Sequence, residues 1–132
     1  MKMARLKWQV VDDLVISFAT EGKLQDDEWN QLVQTMKAKA VTRYLNMSVG
    51  SVEVNSLQRK AMIDVLNAKK IAVVVVTDDS IVRGLVTAAN WLGVNVKAFP
   101  WRETDKAISA LGFSELAARK ILQISHEMRV SS

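Results

Sequence analysis

Residues 71–80 have the sequence Ile-Ala-Val-Val-Val-Val-Thr-Asp-Asp-Ser, and the predicted fold is built outward from them. Residues 71–76 form a continuous apolar run rich in β-branched side chains, which is typical of a parallel strand buried on both faces. Thr77 to Ser80 carry hydroxyl and carboxylate groups, which are favoured at the N-cap of a helix. The segment therefore predicts a buried strand that leads directly into a helix, the repeating unit of an α/β sheet.

Strands and helices alternate on both sides of this segment. The first two strands, 6–10 and 14–18, are predicted as an antiparallel hairpin around Asp12-Asp13, because apolar and polar residues alternate on both sides of that pair. The last helix, about 114–128, carries one apolar stripe. The other predicted elements are a helix over 26–37, a strand over 41–47, a helix capped by Asn55 or Ser56, a helix from 80 that stops at Gly93, a strand over 94–98 and a short helix ending at Leu111.

This order predicts an α/β fold with a mixed, mostly parallel five-stranded sheet, in which β-α repeats follow the N-terminal hairpin. Polar residues alternate along the strands at 41–47 and 94–98, so we expect the helices mainly on one face and the other face partly wet or covered by a partner. A single domain over 1–132 is expected, with a core of about 5–112. The last helix either packs on the wet face or pairs with a second copy as a homodimer.

Composition argues against an enzyme and against a metal or cofactor. The chain of 132 residues has no Cys and one His, His126, which removes thiolate metal sites, disulfides and cysteine nucleophiles. Gly50 and Gly84 stand alone, so no glycine-rich phosphate loop is present. Neither a G-x-S-x-G elbow nor a triad order accompanies His126. We therefore expect no catalytic residues and no cofactor.

Charge and hydropathy bear on partners and location. The net charge is +4, but the basic residues are dispersed along the chain, whereas nucleic-acid binders concentrate them, so no nucleic acid is expected. The longest apolar run, 71–76, is far too short for a transmembrane segment. A secretory signal needs a long apolar stretch after its basic N-terminal segment, and none follows the basic segment Met1 to Arg5. This favours a cytoplasmic location.

Three segments carry a resemblance to a known family: Lys70 to Gly84, Asn90 to Pro100, and Ala107 to Gly112. They resemble the C-terminal half of the STAS domain, the fold of anti-sigma-factor antagonists, and more closely its SpoIIAA-like (STAS/SEC14-type) branch. The resemblance implies a non-catalytic module of bacterial regulation that works by docking to a protein partner. Its SEC14-type branch also allows the alternative of a carrier for a lipid or a small apolar ligand.

The resemblance also implies a candidate phosphoacceptor. STAS antagonists switched by phosphorylation carry an Asp-Ser pair where the helix after the third strand begins, and Asn55-Ser56 occupies that place here. The Gly that follows in the family pattern is missing. Ser56 is therefore a candidate phosphoacceptor with Arg59 as the phosphate partner, because a phosphate is stabilised at a helix N-terminus. The alternative is that Asn55 or Ser56 only caps the helix.

Other residues have two interpretations each. Asp78 and Asp79 cap the next helix or, in a further alternative, one of them is the acceptor of a receiver-like phosphoacceptor domain. Trp101 and Arg102 follow Pro100 and are predicted to form an interaction surface outside the core, as aromatic and arginine residues do at interfaces. The remaining aromatic residues are expected in the core, with Trp29 and Trp91 at helical core spacing, or around an apolar pocket together with Trp101: Trp29, Trp91, Phe99 and Phe113.

Overall fold

The computed structural model describes residues 2–38 and 40–131, so that Met1, Lys39 and Ser132 lie outside the described residues. Within those ranges the chain forms one five-stranded sheet, one two-stranded sheet and five α-helices. In chain order the elements are β1 (Leu6–Val11), β2 (Leu14–Ala19), β3 (Gly22–Lys23), α1 (Asp26–Ala38), β4 (Arg43–Ser48), β5 (Val52–Glu53), α2 (Ser56–Lys69), β6 (Ala72–Val76), α3 (Ser80–Trp91), β7 (Val96–Phe99), a 3₁₀ turn (Trp101–Glu103), α4 (Thr104–Ala110) and α5 (Glu115–Val130).

The main sheet has the strand order β1-β2-β4-β6-β7. β1 and β2 form the predicted antiparallel hairpin, and every other neighbouring pair is parallel. The valine run becomes β6, which lies between β4 and β7 and has Val73 to Val76 buried. The predicted fold class, a mixed and mostly parallel α/β sheet, is confirmed.

Helices cover both faces of this sheet. α1, α2 and α3 cover one face, where Leu32, Met62 and Val86 belong to the core cluster. α4 and α5 cover the other, where Ile108 and Ile121 belong to a second core cluster. The expectation of a partly wet second face is therefore wrong, because the chain's own C-terminal helices bury it. The apolar stripe of α5 packs on this sheet rather than requiring a second copy.

The polar residues of β4 behind that expectation face the side covered by α2 and α3, whereas Asn95 and Lys97 are exposed. Tyr44, Asn46 and Ser48 alternate along β4 and line a cavity under α2 and α3, whereas Leu45 and Met47 point to α4 and α5. The polar alternation of β4 marks the wall of a partly open cavity beneath two helices instead of an uncovered sheet face.

Local signals place the ends of α2 and α3. Asn55 is the N-cap of α2 in a capping box, in which its side chain accepts from Gln58 N and the Gln58 side chain accepts from Asn55 N. Asp79 caps α3 by accepting from Val82 N at 3.0 Å. Gly93 follows α3 with a φ of +94°, as predicted for a helix-stopping glycine.

A second, two-stranded parallel sheet of β3 and β5 was not predicted. Its strands have two residues each, too short for any periodicity to show. Gly22 is required there, because its φ is +131° and an added Cβ would lie 2.6 Å from the Lys2 carbonyl oxygen. The pair places Val52 beside the start of α2, where it lines the cavity.

The two tryptophans expected in the core differ. Trp29 is buried and its Nε1 donates to the Gln58 carbonyl oxygen at 2.8 Å, which joins α1 to α2. The prediction for Trp91 is wrong, because its side chain is 86% exposed. Trp91 follows Val82 by about two and a half turns at 3.6 residues per turn, so it lies on the opposite side of α3 from Val82 and Val86.

Candidate functional site

The structure contains an apolar cavity of about 150 Å³ between the main sheet and helices α2 and α3. Its sheet wall comes from β1, β2, β4, β6 and β7, and its roof from α2 and α3 with Trp29 of α1 at one side. Most of the lining side chains are aliphatic: Leu6, Ala19, Leu24, Val52, Val54, Met62, Ile63, Leu66, Val73, Val75, Val82, Leu85, Val86, Ala89, Val94 and Val96.

The cavity exists because α3 packs loosely on small side chains. Among the described residues of α3, Val86 alone is buried, while Val82, Leu85 and Ala89 are half-buried. The sheet below offers Val73 and Val75, which are too short to fill the space. Interiors are normally filled to crystal-like density, so a void of this size stands out from the rest of the core.

A polar stripe of Tyr44, Asn46 and Ser48 crosses the sheet wall of the cavity, and Ser17 of β2 contacts it from beside the cavity. The Tyr44 hydroxyl lies 2.7 Å from Ser17 Oγ and accepts from Asn46 Nδ2 at 2.9 Å. Burial raises the pKa of the Tyr44 hydroxyl, partly offset by these two hydrogen bonds, so the group stays neutral at any physiological pH.

Ser48 ends the polar stripe and lacks a partner for its hydroxyl. The residue is 3% exposed, it lines the cavity, and its Oγ makes no hydrogen bond to any of the described residues. Its carbonyl oxygen, by contrast, accepts from Trp101 Nε1 at 2.8 Å. A buried hydroxyl is normally paired, so Ser48 Oγ is an open polar position on the cavity wall.

The cavity adjoins a wider outer cleft at the N-terminal ends of α2 and α3. The cleft measures about 510 Å³ and shares Val52, Val54, Arg59 and Leu85 with the cavity. Arg59 Nη1 donates to the Val54 carbonyl oxygen at 2.6 Å, which holds the guanidinium at the boundary. The other residues of the cleft are mostly polar: Lys23, Ser51, Glu53, Asn55 and Ile81.

Asn55, Ser56 and Arg59 are all placed at this cleft end of α2. Asn55 is the helix cap, as one of the two interpretations expected, and Ser56 is the exposed first residue of the helix. Arg59 is one turn away but already bonds the Val54 carbonyl oxygen. Phosphorylation of Ser56 stays a prediction.

Trp101 and Arg102 do not form a pair. Trp101 is half-buried and packs against the second core cluster, with its ring centroid 6.2 Å from that of Phe18, and an interaction role for its exposed part stays a prediction. Its ring is covered by Arg129 of α5, whose guanidinium carbon lies 4.2 Å from the ring centroid. Arg102 is exposed, and an interaction role for it stays a prediction.

The two aspartates after β6 have structural contacts. Asp79 caps α3, and Asp78 Oδ1 accepts from the backbone N–H of Trp101 at 3.0 Å, which anchors the chain after β7. These contacts match the capping interpretation for Asp79. Sequence reasoning had no signal for the Asp78 contact, which joins residues 23 positions apart.

The pocket expected from aromatic residues differs from the cavity observed. Of that group only Trp29 lines it, since Phe99, Trp101 and Phe113 pack on the opposite sheet face and Trp91 is exposed. The signal that could have found it is the coincidence of small side chains on β6 and α3 with the polar alternation on β4.

Within residues 2–38 and 40–131, no three His, Asp or Glu side chains gather in a group that would hold a metal ion. No helix in the same part of the chain is long and apolar enough to cross a bilayer.

A scan against protein-family models finds no model that matches this chain, and a search of curated proteins finds no relative. The STAS resemblance therefore rests on the sequence segments quoted above and stays a prediction.

Proposed function

We propose that this chain is a non-catalytic binding domain for a small, largely apolar molecule, which it holds between the sheet and helices α2 and α3. The observation that carries the proposal is the apolar cavity of about 150 Å³. At ~24 cal/mol per Å³ for a fully enclosed cavity, this partly open space forgoes at most about 3–4 kcal/mol of packing stability. Larger side chains at Val75 or Ala89 would recover it, so their absence favours a use for the space.

The volume limits the ligand. A dry apolar cavity of about this size accommodates one benzene-sized molecule, so a single ring or a chain of roughly six to eight heavy atoms fits. A diacyl lipid does not fit inside. Of the two ligands that the SEC14-type resemblance allows, the geometry favours the small apolar one over a lipid.

Toluene is a suitable probe because its ring matches the cavity. We expect a dissociation constant of about 0.1–1 mM, in line with the binding free energy that seven heavy atoms supply. In methyl NMR spectra the resonances of Val75 and Val86 should move on titration, and those of Val74, which faces α4 and α5, should stay. If the methyl resonances of Val75 and Val86 in the wild type do not shift on titration with toluene, the proposal is contradicted.

Two neighbouring alanines of α3 provide a matched pair of variants. Ala89→Phe places a ring in the cavity and should abolish toluene binding while leaving or raising the melting temperature. Ala88→Phe adds the same ring at an exposed position outside the cavity and should leave toluene binding intact. Equal loss of binding in both variants would show that toluene does not occupy this cavity.

A second candidate function, docking of a protein partner, is favoured by exposed apolar side chains at the cleft end. Leu57, in the first turn of α2, is 78% exposed, and Ile81, in the first turn of α3, is 64% exposed. Leu57 directly follows Ser56 in the sequence, where a phosphate would change the charge of the surface. This proposal includes the bacterial regulatory role and the cytoplasmic location that the sequence favoured.

The docking candidate predicts that Leu57→Asp loses a partner that Leu116→Asp retains, since Leu116 is equally exposed but lies on α5. Capture from native lysate compares the two variants directly. Should the chain instead pair with itself, its mass by light scattering will be that of a homodimer in the wild type and of a monomer in Leu57→Asp. Identical captured proteins and identical masses for both variants rule this surface out.

A further inference from the structure

We infer that the ligand of this cavity carries one neutral hydroxyl or carbonyl group, which binds Ser48 Oγ on the sheet wall while the rest of the ligand contacts the aliphatic roof. The inference deepens the proposed function and rests on it. The ligand class is thereby narrowed from hydrocarbons in general to small phenols, alcohols and ketones.

The first argument is the unpartnered hydroxyl itself. Ser48 Oγ is buried, lines the cavity and finds no partner in the part of the chain that the structure describes. A buried hydroxyl without a hydrogen-bond partner lowers the stability of the fold, whereas an alanine at this position would not. A serine here gives no benefit to folding, so its hydroxyl is available for a molecule in the cavity.

The second argument is that the other polar atoms of the stripe are already oriented by one another. Ser17 and Asn46 both bond the Tyr44 hydroxyl, which fixes these three side chains on the sheet. Asn46 uses its amide nitrogen in this contact, which leaves the amide oxygen as an acceptor on the same wall. A ligand hydroxyl can therefore pair with Ser48 and donate to a prearranged acceptor nearby.

The third argument concerns charge. The cavity lining contains one ionisable cation, Arg59, and its guanidinium is held at the outer boundary by the Val54 carbonyl oxygen, among the described residues. A carboxylate placed against the sheet wall would lose its hydration without gaining a counter-ion. The polar group at Ser48 is therefore neutral.

The test compares p-cresol with p-xylene, two rings of the same size in which a hydroxyl replaces a methyl group. Water solvates p-cresol much better, so a purely apolar cavity would prefer p-xylene. We expect the wild type to bind p-cresol at least as tightly as p-xylene, measured by calorimetry or by the Val75 and Val86 methyl signals. A wild type that binds p-xylene ten times more tightly than p-cresol overturns the inference.

Ser48→Ala locates the effect. It should weaken p-cresol binding by about 5- to 30-fold, as expected for one lost hydrogen bond in a buried site, and leave p-xylene binding unchanged. Ser125→Ala is the matched control, because Ser125 is equally buried but sits on α5 and already bonds the Ile121 carbonyl oxygen. Unchanged p-cresol affinity in Ser48→Ala contradicts the inference.

The melting temperature of Ser48→Ala distinguishes an effect on folding from an effect on ligand binding. Ser48→Ala should melt at or above the wild-type temperature, since it removes an unpaired buried hydroxyl. A wild type that binds p-xylene ten times more tightly than p-cresol would contradict this inference alone. Failure of both molecules to bind the wild type would contradict the proposed function as well.

Discussion

On the face of the sheet that α4 and α5 cover, β4 and β6 present Leu45, Met47, Val74 and Val76, all buried in one cluster. On the opposite face, the residues that alternate with these present hydroxyl, amide and short aliphatic groups to the cavity: Tyr44, Asn46, Ser48, Val73 and Val75. The same two strands thus carry two kinds of surface. We call the first the packed face and the second the cavity face.

The difference shows how one small domain can be stable and still keep an unfilled space. Large apolar residues on the packed face contribute burial at about 25 cal/mol per Å² of apolar surface, without a void to offset it. α3 on the cavity face contributes much less, since Val86 is the single buried residue among its described positions. The region under α3 therefore contributes little to stability, although α1 and α2 bury many residues elsewhere on the same face, and it remains available for binding.

The largest effect expected from this comparison comes from removing residues 114–132. The deletion removes Ile121 and Met128 from the packed face, together with the Arg129 contact on Trp101. We expect the truncated chain to be unfolded or aggregated, seen as a loss of near-ultraviolet circular dichroism. A truncated chain that keeps a cooperative melt within a few degrees of the wild type would show that α5 does not hold the packed face.

Leu45→Ala on the packed face should have the next largest effect. Leu45 is fully buried at the centre of the sheet, so its truncation is expected to lower the free energy of unfolding by about 2–5 kcal/mol. Urea denaturation measures this loss. Val86→Ala in the looser roof of the cavity is the comparison and should cost about 1 kcal/mol. Equal losses in the two variants would mean that both faces contribute alike.

Much of the sheet and several helix ends could be predicted from the sequence, because local patterns determine them. The apolar run at 71–76 predicts β6, the alternation around Asp12-Asp13 predicts the hairpin, and residue type places the caps of α2 and α3 among a few candidates that include Asn55 and Asp79. Each of these signals acts within a few residues of the feature it predicts.

The cavity face was harder to predict because it depends on which helix lies over which strand. The polar alternation of Tyr44, Asn46 and Ser48 was visible, yet periodicity shows only that a face is polar and not what covers it. On the packed face, the contacts of Trp101 with Phe18 and Arg129 also join segments that are distant in the sequence, so no local pattern predicts them. Placement of α3 and α5 needed the three-dimensional structure.

A third prediction applies one substitution to neighbouring residues on the two faces. Val74→Leu adds a methylene to the filled packed face and should cost about 1–3 kcal/mol through overpacking. Val75→Leu adds the same group beside the cavity and should be neutral or raise the free energy of unfolding by up to about 1 kcal/mol. Thermal and urea unfolding of both variants test this. A reversed order would contradict the assignment of the void to the cavity face.

The smallest expected effect concerns pH and the edge of the packed face. Asp13 accepts hydrogen bonds from the Thr42 hydroxyl and from Arg43 Nε, and Arg43 in turn donates to the Leu111 carbonyl oxygen and stacks on Phe113. These contacts join the hairpin turn to the loop between α4 and α5. The hydrogen bond from Thr42 is the main cause that lowers the pKa of the Asp13 carboxyl, with Arg43 adding to it.

Because the folded pKa of Asp13 lies below its unfolded value, its contribution to stability is complete above the unfolded pKa and is lost as pH falls through the folded pKa. Both side chains of the Asp13–Arg43 pair remain about 30% exposed, at 32% and 27%, so we expect no more than about 1 kcal/mol. Asp13→Asn should lower stability at pH 7 by that amount and converge with the wild type well below pH 4. Urea denaturation of both proteins at pH 7 and pH 3 measures the difference in their free energies of unfolding at each pH. A constant difference between the two proteins across this range would show that the carboxylate charge at Asp13 does not support the packed face.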